Sequence, residues 1–258
     1  MDVHGTRLAR TLFTIATGVE RDFAAVLQGN YERALTAARA AAAGQTHQGA
    51  GGAHRQQATI PLVQKIFGKW DEVLAAPAGP HGAPYLDGLS SYVRGSAFVG
   101  RGELEKAQGE LERLRAAAQD PAIKNRLTVA NPVSSVLELA LHGLEGEIAL
   151  ARGKHLDAVR AFESAVRVQD NLKYIEPPDW GQSMRLYLGK ALLKAGRAHE
   201  AETVYREDLR EFRNNGWALF GLWQSLRQQG RSKDARKVRA QFERAWKGAD
   251  VCLEASTF

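Results

Sequence analysis

The sequence predicts an all-α chain of about six helix pairs stacked side by side as a solenoid. Gly102, Gly153, Gly196 and Gly230 each stand between two stretches of helical periodicity, and each is followed five residues later by alanine, at Ala107, Ala158, Ala201 and Ala235. Three of these glycines have another seven residues upstream (Gly95, Gly146, Gly189), and a bulky residue follows the alanine by four (Leu111, Phe162, Tyr205). Gly196 to Gly230 spans 34 residues, as does Gly68 to Gly102. A fixed period of that length marks stacked helical hairpins, none of which can bury its apolar face alone. Alanine and leucine dominate the periodic segments, and no run shows the β-branched alternation of a half-buried strand.

In order along the chain, residues 5–28 and 30–43 read as a first helix pair around Gly29, so that 1–43 is an N-terminal pair. Residues 44–57, "GQTHQGAGGAHRQQ", read as a flexible glycine-rich loop. The helical array then occupies 58–248, opening with a short unit at 58–67 and 69–75 and a proline-punctuated turn at 76–84. Helices follow at about 85–100 and 103–118. From Gly102 to Gly153 the spacing stretches to 51 residues, and Pro121 and Pro132 bracket a possible helical turn in the excess. From Gly153 to Gly196 the spacing is 43, the excess being 174–180. There the double proline stops one helix and Asp179 is the expected N-cap of the next. Asn214 or Asn215 should cap the helix beginning near Trp217. The tail 249–258 carries Val251, Leu253 and Phe258, which should fold back over the last pair.

Residues 85–115, 139–165, 182–209 and 216–246, with weaker units at 60–75 and 19–43, make the chain resemble a tetratricopeptide repeat (TPR) protein. The best-fitting units are "RGSAFVGRGELEKAQGEL", "LEGEIALARGKHLDAVRAF" and "YLGKALLKAGRAHEAETVY". Residues 176–230 also resemble the C-terminal half of longer, mostly undescribed bacterial TPR proteins. The last unit departs from the pattern, with Trp223 where a small residue is usual. The resemblance implies a right-handed α-solenoid of antiparallel pairs, a concave face lined by the first helix of each pair, and a role in holding other proteins.

Composition points the same way. Net charge is +6, and residues 181–258 supply it, the rest of the chain balancing. Its source is the final helix, with Arg231, Lys233, Arg236, Lys237, Arg239, Arg244 and Lys247 against Asp234 and Glu243. That helix is either a solvated cap of the array or an anion-binding surface, which keeps nucleic acid or an acidic partner as an alternative. Self-association through the solenoid ends is a further one. Cys252 is the only cysteine, which excludes an intrachain disulfide and suits a reducing compartment, so a cytoplasmic location is expected. No apolar run is long enough to span a membrane. The seven histidines lack the spacing of a metal site, and no phosphate-binding loop or nucleophile turn is present. No cofactor, no metal and no catalytic residues are expected; the chain reads as a scaffold rather than an enzyme.

Counted from the turn glycines, the inward-facing positions that should form a protein-binding groove are Tyr92, Ser96, Leu144, Glu147, Tyr187, Lys190, Lys194, Trp217, Phe220, Gln224 and Arg227. They do not supply the lysine and asparagine clamp that chaperone-binding TPR domains use for a terminal carboxylate, so that partnership is disfavoured. An aromatic groove with a basic end suits an acidic amphipathic segment. For Trp217 and Phe220 the plainer alternative is packing between helices.

Overall fold

The structure, a computed structural model, describes residues 20–43, 49–79, 82–175 and 178–258. Among these residues it is all-helical, with no strand. In chain order the helices are α1 (Glu20–Leu27), α2 (Tyr31–Ala43), α3 (Gly49–Ile66), α4 (Trp70–Ala75), α5 (Pro84–Gly100) and α6 (Leu104–Gln119). After a 3-10 turn at Pro121–Ile123 come α7 (Val133–Ala151), α8 (His155–Asn171), α9 (Met184–Lys194), α10 (Ala198–Glu211), α11 (Gly216–Gln228) and α12 (Ser232–Ala245). Each packs on its sequence neighbour, and α3 on α5, α5 on α7 and α9 on α11 pack one step further on. None is long and apolar enough to cross a membrane.

The glycine signal reports a single turn used six times. Gly29, Gly68, Gly102, Gly153, Gly196 and Gly230 all have φ between +67° and +76°, a conformation that costs residues bearing a Cβ about 1–2 kcal/mol. At each, the glycine N–H donates to the carbonyl three residues back and the next N–H to the carbonyl five back, as in Gly153 to Leu150 and Lys154 to Ala149. These bonds satisfy the last carbonyls of one helix and turn the chain into its partner.

The seam is filled as the spacing implies, with one change. Ala107, Ala158 and Ala201 are fully buried, as are Phe162 and Tyr205. A Cβ on Gly146 would lie 2.5 Å from the Phe162 ring, and one on Gly189 would collide with Tyr205. These glycines admit the ring of the second helix in their own pair. Gly95 instead admits Leu144 from the next pair, and Gly221 receives Tyr205 from the preceding one. Tyr205 is therefore wedged between glycines of α9 and α11.

Three local expectations need correction. Residues 1–19 and 44–48 lie outside the described ones, but 49–57, expected as flexible loop, form the first half of α3. Packing on α2 and burial of Ala58 carry the helix through a glycine-rich start. Asp179 does not cap the helix after the double proline. Ser183 does, accepting from Arg185 N at 3.3 Å, while Asp179 is buried and accepts from Thr128 Oγ1 (2.7 Å) and Asn131 Nδ2 (2.8 Å). The 249–258 tail reaches past the last pair. Gln224 holds the Glu254 carbonyl (2.8 Å), Ser256 Oγ donates to the Leu186 carbonyl (2.8 Å), and Phe258 packs near Gly68. Asn215, as expected, caps α11, accepting from Trp217 N at 3.2 Å.

The first and last described pairs touch. Trp217 Nε1 donates to the Val26 carbonyl at 2.7 Å, and Asn30 Nδ2 to the Gly248 carbonyl at 2.7 Å. The Asp250 carboxylate accepts from Tyr31 N (2.7 Å) and Glu32 N (3.0 Å). It thereby caps α2 and places negative charge at that helix's N-terminus. Trp217 is fully buried where its ring meets Phe67, Trp246 and Phe258. The expected open trough is closed at this point.

Candidate binding groove

Four helices bring polar side chains to one buried point. Lys65 on α3 forms an ion pair with Glu147 on α7 at 2.9 Å, its side chain only 3% exposed. Its ammonium also donates to the Tyr187 hydroxyl on α9 and lies over the Tyr92 and Tyr187 rings, 4.9 and 4.2 Å from their centroids. Tyr187 in turn donates to Gln182 Oε1 at 2.6 Å. Burial by itself would lower the Lys65 ammonium, but the Glu147 carboxylate and the two tyrosines outweigh it and hold the pKa well above its usual value. Burial raises the Tyr92 and Tyr187 phenols, so both stay protonated. A charged lysine is stable here because every side of it is occupied by an acceptor or a π-face.

Beside this cluster the chain's own tail is seated. Lys190 Nζ donates to the Thr257 carbonyl (3.1 Å), to Thr257 Oγ1 (3.2 Å) and to the Phe258 main-chain oxygen (3.2 Å). Ser256 Oγ is 2.8 Å from the Tyr205 hydroxyl. Burial pulls the Lys190 ammonium down to about 8, only partly offset by Glu147. Between the tail and α5, α7 and α9 a cavity of about 340 Å³ remains, with Trp70, Phe162 and Phe258 among its apolar walls. Ser96 Oγ, buried and without a hydrogen-bond partner, borders it.

The structure brings Ser96, Glu147, Tyr187, Lys190 and Lys194 together on this cavity. Tyr92 is buried beneath it, its hydroxyl 3.4 Å from Glu147. Gln224 is half-buried and holds the tail. Of the remaining groove candidates, Leu144, Trp217 and Phe220 are enclosed in this conformation. Leu144 is fully buried, filling the gap left by Gly95. Trp217 is spent on the closure, and Phe220 is buried against Trp223 and Phe242. Arg227 is exposed, over the Trp223 ring on the last pair. For Trp217 and Phe220 the packing alternative is the one observed.

Sequence reasoning missed Lys65, Trp70 and Gln182. Lys65 carried a signal. It stands three residues before its turn glycine, where the other turns have Val26, Val99, Leu150, Leu193 and Arg227. A lysine in a largely apolar column implies a buried charge that needs a partner.

No family model matches the chain, and no curated protein and no solved structure matches it.

Proposed function

We propose that the chain is a TPR-like, right-handed α-solenoid of antiparallel pairs that acts as a non-enzymatic scaffold, holding a segment of a protein partner on its inner face. The observation that carries this reading is the tail, which lies there as a bound peptide would, bending at residues 254–256. Within residues 254–258, Glu254, Thr257 and Phe258 are held by their main-chain oxygens, which any peptide offers, and Ser256 and Thr257 by side-chain hydrogen bonds. A partner segment with small hydroxyl residues followed by an aromatic would compete for the same place. Lys65 is engaged with Glu147 and Lys190 with the tail, which suits holding more than turnover.

The test uses a labelled peptide of residues 251–258 and the Ser256→Glu chain, in which a carboxylate cannot fit between Tyr205 and the Leu186 carbonyl. This variant should bind the peptide where the unaltered chain does not, and adding Lys190→Gln should weaken binding about tenfold, the scale of a lost charged hydrogen bond. A folded Ser256→Glu variant that ignores the peptide would sink the reading.

A second reading has its own support. Lys233, Arg236, Lys237, Arg244 and Lys247 are exposed and make no ion pair among the described residues, whereas Arg231 and Arg239 are paired with Asp234 and Glu243. Lys233, Arg236, Lys237 and Arg244 lie on α12, the first three within one turn and Arg244 two turns on, and Lys247 follows its end. An anionic partner there would bind with an affinity that falls steeply with salt, and a flat titration would remove it. Self-association through free ends gains nothing from a fold whose ends engage each other.

A further inference from the structure

The two insertions that break the period meet. Residues 119–132 and the described residues 172–175 and 178–180 are joined by Asn131, whose Nδ2 donates to the Lys173 carbonyl at 3.0 Å and whose Oδ1 accepts from Lys173 N at 2.7 Å. The same Nδ2 and Thr128 Oγ1 both donate to Asp179. Thr128, Asn131 and Asp179 are 2%, 1% and 6% exposed, so the clasp is a buried polar network. Within the first insertion Leu127 pairs with Pro132, and Val133 N donates to the Arg126 carbonyl, closing a tight loop. A connection between helices needs only a few residues and no such clamp. This one fixes its outward side chains before anything binds them.

Those side chains are unusual for this molecule. Of the five large apolar residues that are exposed among the described residues, three are here: Leu127, Val129 and Tyr174. One exposed leucine is ordinary; three on one clasped pair of loops are not. Around them Lys124, Arg126 and Lys173 are exposed and make no ion pair among the described residues, while elsewhere Arg115 meets Glu112 and Glu145, and Arg185 meets Asp170. The two nearby described acids are committed, Asp179 to the clasp and Asp120 to the Ala122 N–H at 2.7 Å.

We propose that the clasped insertions are a second interaction surface, independent of the groove, and that its occupant is a protein segment combining acidic with apolar side chains. Charge complementarity sets the acids against Lys124, Arg126 and Lys173, and the apolar residues cover Leu127, Val129 and Tyr174. Nucleic acid fits less well, because of the three apolar side chains only Tyr174 offers a base a stacking surface.

A random short-peptide display library selected on the full chain, with counter-selection on Lys124→Glu/Arg126→Glu/Lys173→Glu, tests this directly. Recovered peptides should carry both acidic and apolar residues. They should bind about tenfold more weakly to that variant and to Leu127→Ser/Val129→Ser, and equally well to Ser256→Glu, which separates this surface from the groove. All the loop substitutions are at exposed positions, so circular dichroism and Tm should be unchanged. The proposal is overturned if no peptide distinguishes the chain from the loop variants. Selected peptides lacking either component would overturn it too, as would a single-stranded oligonucleotide that binds in a loop-dependent way.

Discussion

At Gly153 the chain turns from α7 into α8 with main-chain hydrogen bonds alone, and Lys154, at the N-cap of α8, makes no side-chain cap. At Asn131, between α6 and α7, the fold relies on one amide that makes three hydrogen bonds to another insertion. The contrast holds beyond these two places. The residues that open the second helix of a pair, such as Glu103, Arg197 and Arg231, also cap with no side chain, whereas Ser183 and Asn215, which open α9 and α11, do. Those turns within pairs are held by backbone geometry and shape, and those junctions by particular polar side chains. The exceptions are α2, the second helix of the first pair, which is capped by Asn30 and Asp250, and α5 and α7, which begin at Ala83 and Pro132 with no side-chain cap. The repeat can therefore recur with little sequence in common, while what differs between units is written in single residues that have no counterpart elsewhere.

The comparison breaks first, and with the largest effect, at the seam between α9, α10 and α11. Gly189→Ala would drive a methyl into the Tyr205 ring, which has Gly221 on its other side and its hydroxyl fixed 2.8 Å from Ser256 Oγ. Overpacking of this kind costs about 3 kcal/mol, readable as a lower midpoint in denaturant melts. Combining it with Tyr205→Leu should recover part of the loss. If Gly189→Ala alone is nearly neutral, the ring has room to move and shape is not what holds the seam.

A smaller effect is expected at the clasp. Asn131→Ala leaves the Lys173 main chain and the buried Asp179 each short of a partner, at a cost of about 2 kcal/mol. Because the loss lies between pairs, hydrogen exchange should quicken at 172–180 and around 126–133 while the turn at Gly153 keeps its protection. Uniform loss of protection would mean that turns and clasp fail together, and the distinction between them would fall.

How much could be read from the sequence follows the same division. A turn that demands positive φ selects one residue type, so Gly68, Gly102, Gly153, Gly196 and Gly230 were visible by spacing. The burial of Ala107, Ala158 and Ala201 followed from period alone. The start of α3 was not visible, because its first residues favour loops locally and only packing on α2 overrides that. Nor was the closure, since Asp250 on α2 and Trp217 on Val26 join residues about two hundred apart with no local pattern to announce them. Asp179 looked like a cap because a cap is a local role, whereas its partners come from the other insertion. In the groove, position relative to the glycines found Glu147, Tyr187 and Lys190 but could not show that Trp217 and Leu144 are enclosed.

The smallest expected effect tests the junctions by pH. Asp208 on α10 is fully buried, and its carboxylate accepts from Asn215 Nδ2 at 2.7 Å where α11 begins. Burial raises its pKa to about 6 from 3.8, in spite of hydrogen bonds from Ser183 and Asn215 that favour the charged form. With the folded pKa above the unfolded one, the folded state binds the extra proton between about pH 6 and pH 4. Stability contributed by this group therefore rises as pH falls through that window, by about 1 kcal/mol from pH 7 to pH 5. Asp208→Asn is neutral throughout and should lose that gain, so the difference in unfolding free energy between the two proteins should shift with pH by the same amount. The turns within pairs contain no such group, and Gly153→Ala should lower stability equally at pH 7 and pH 5. A pH-independent difference for Asp208→Asn would mean that the carboxylate is already at ease in its junction, and that the side chains there are no more exacting than the glycine turns.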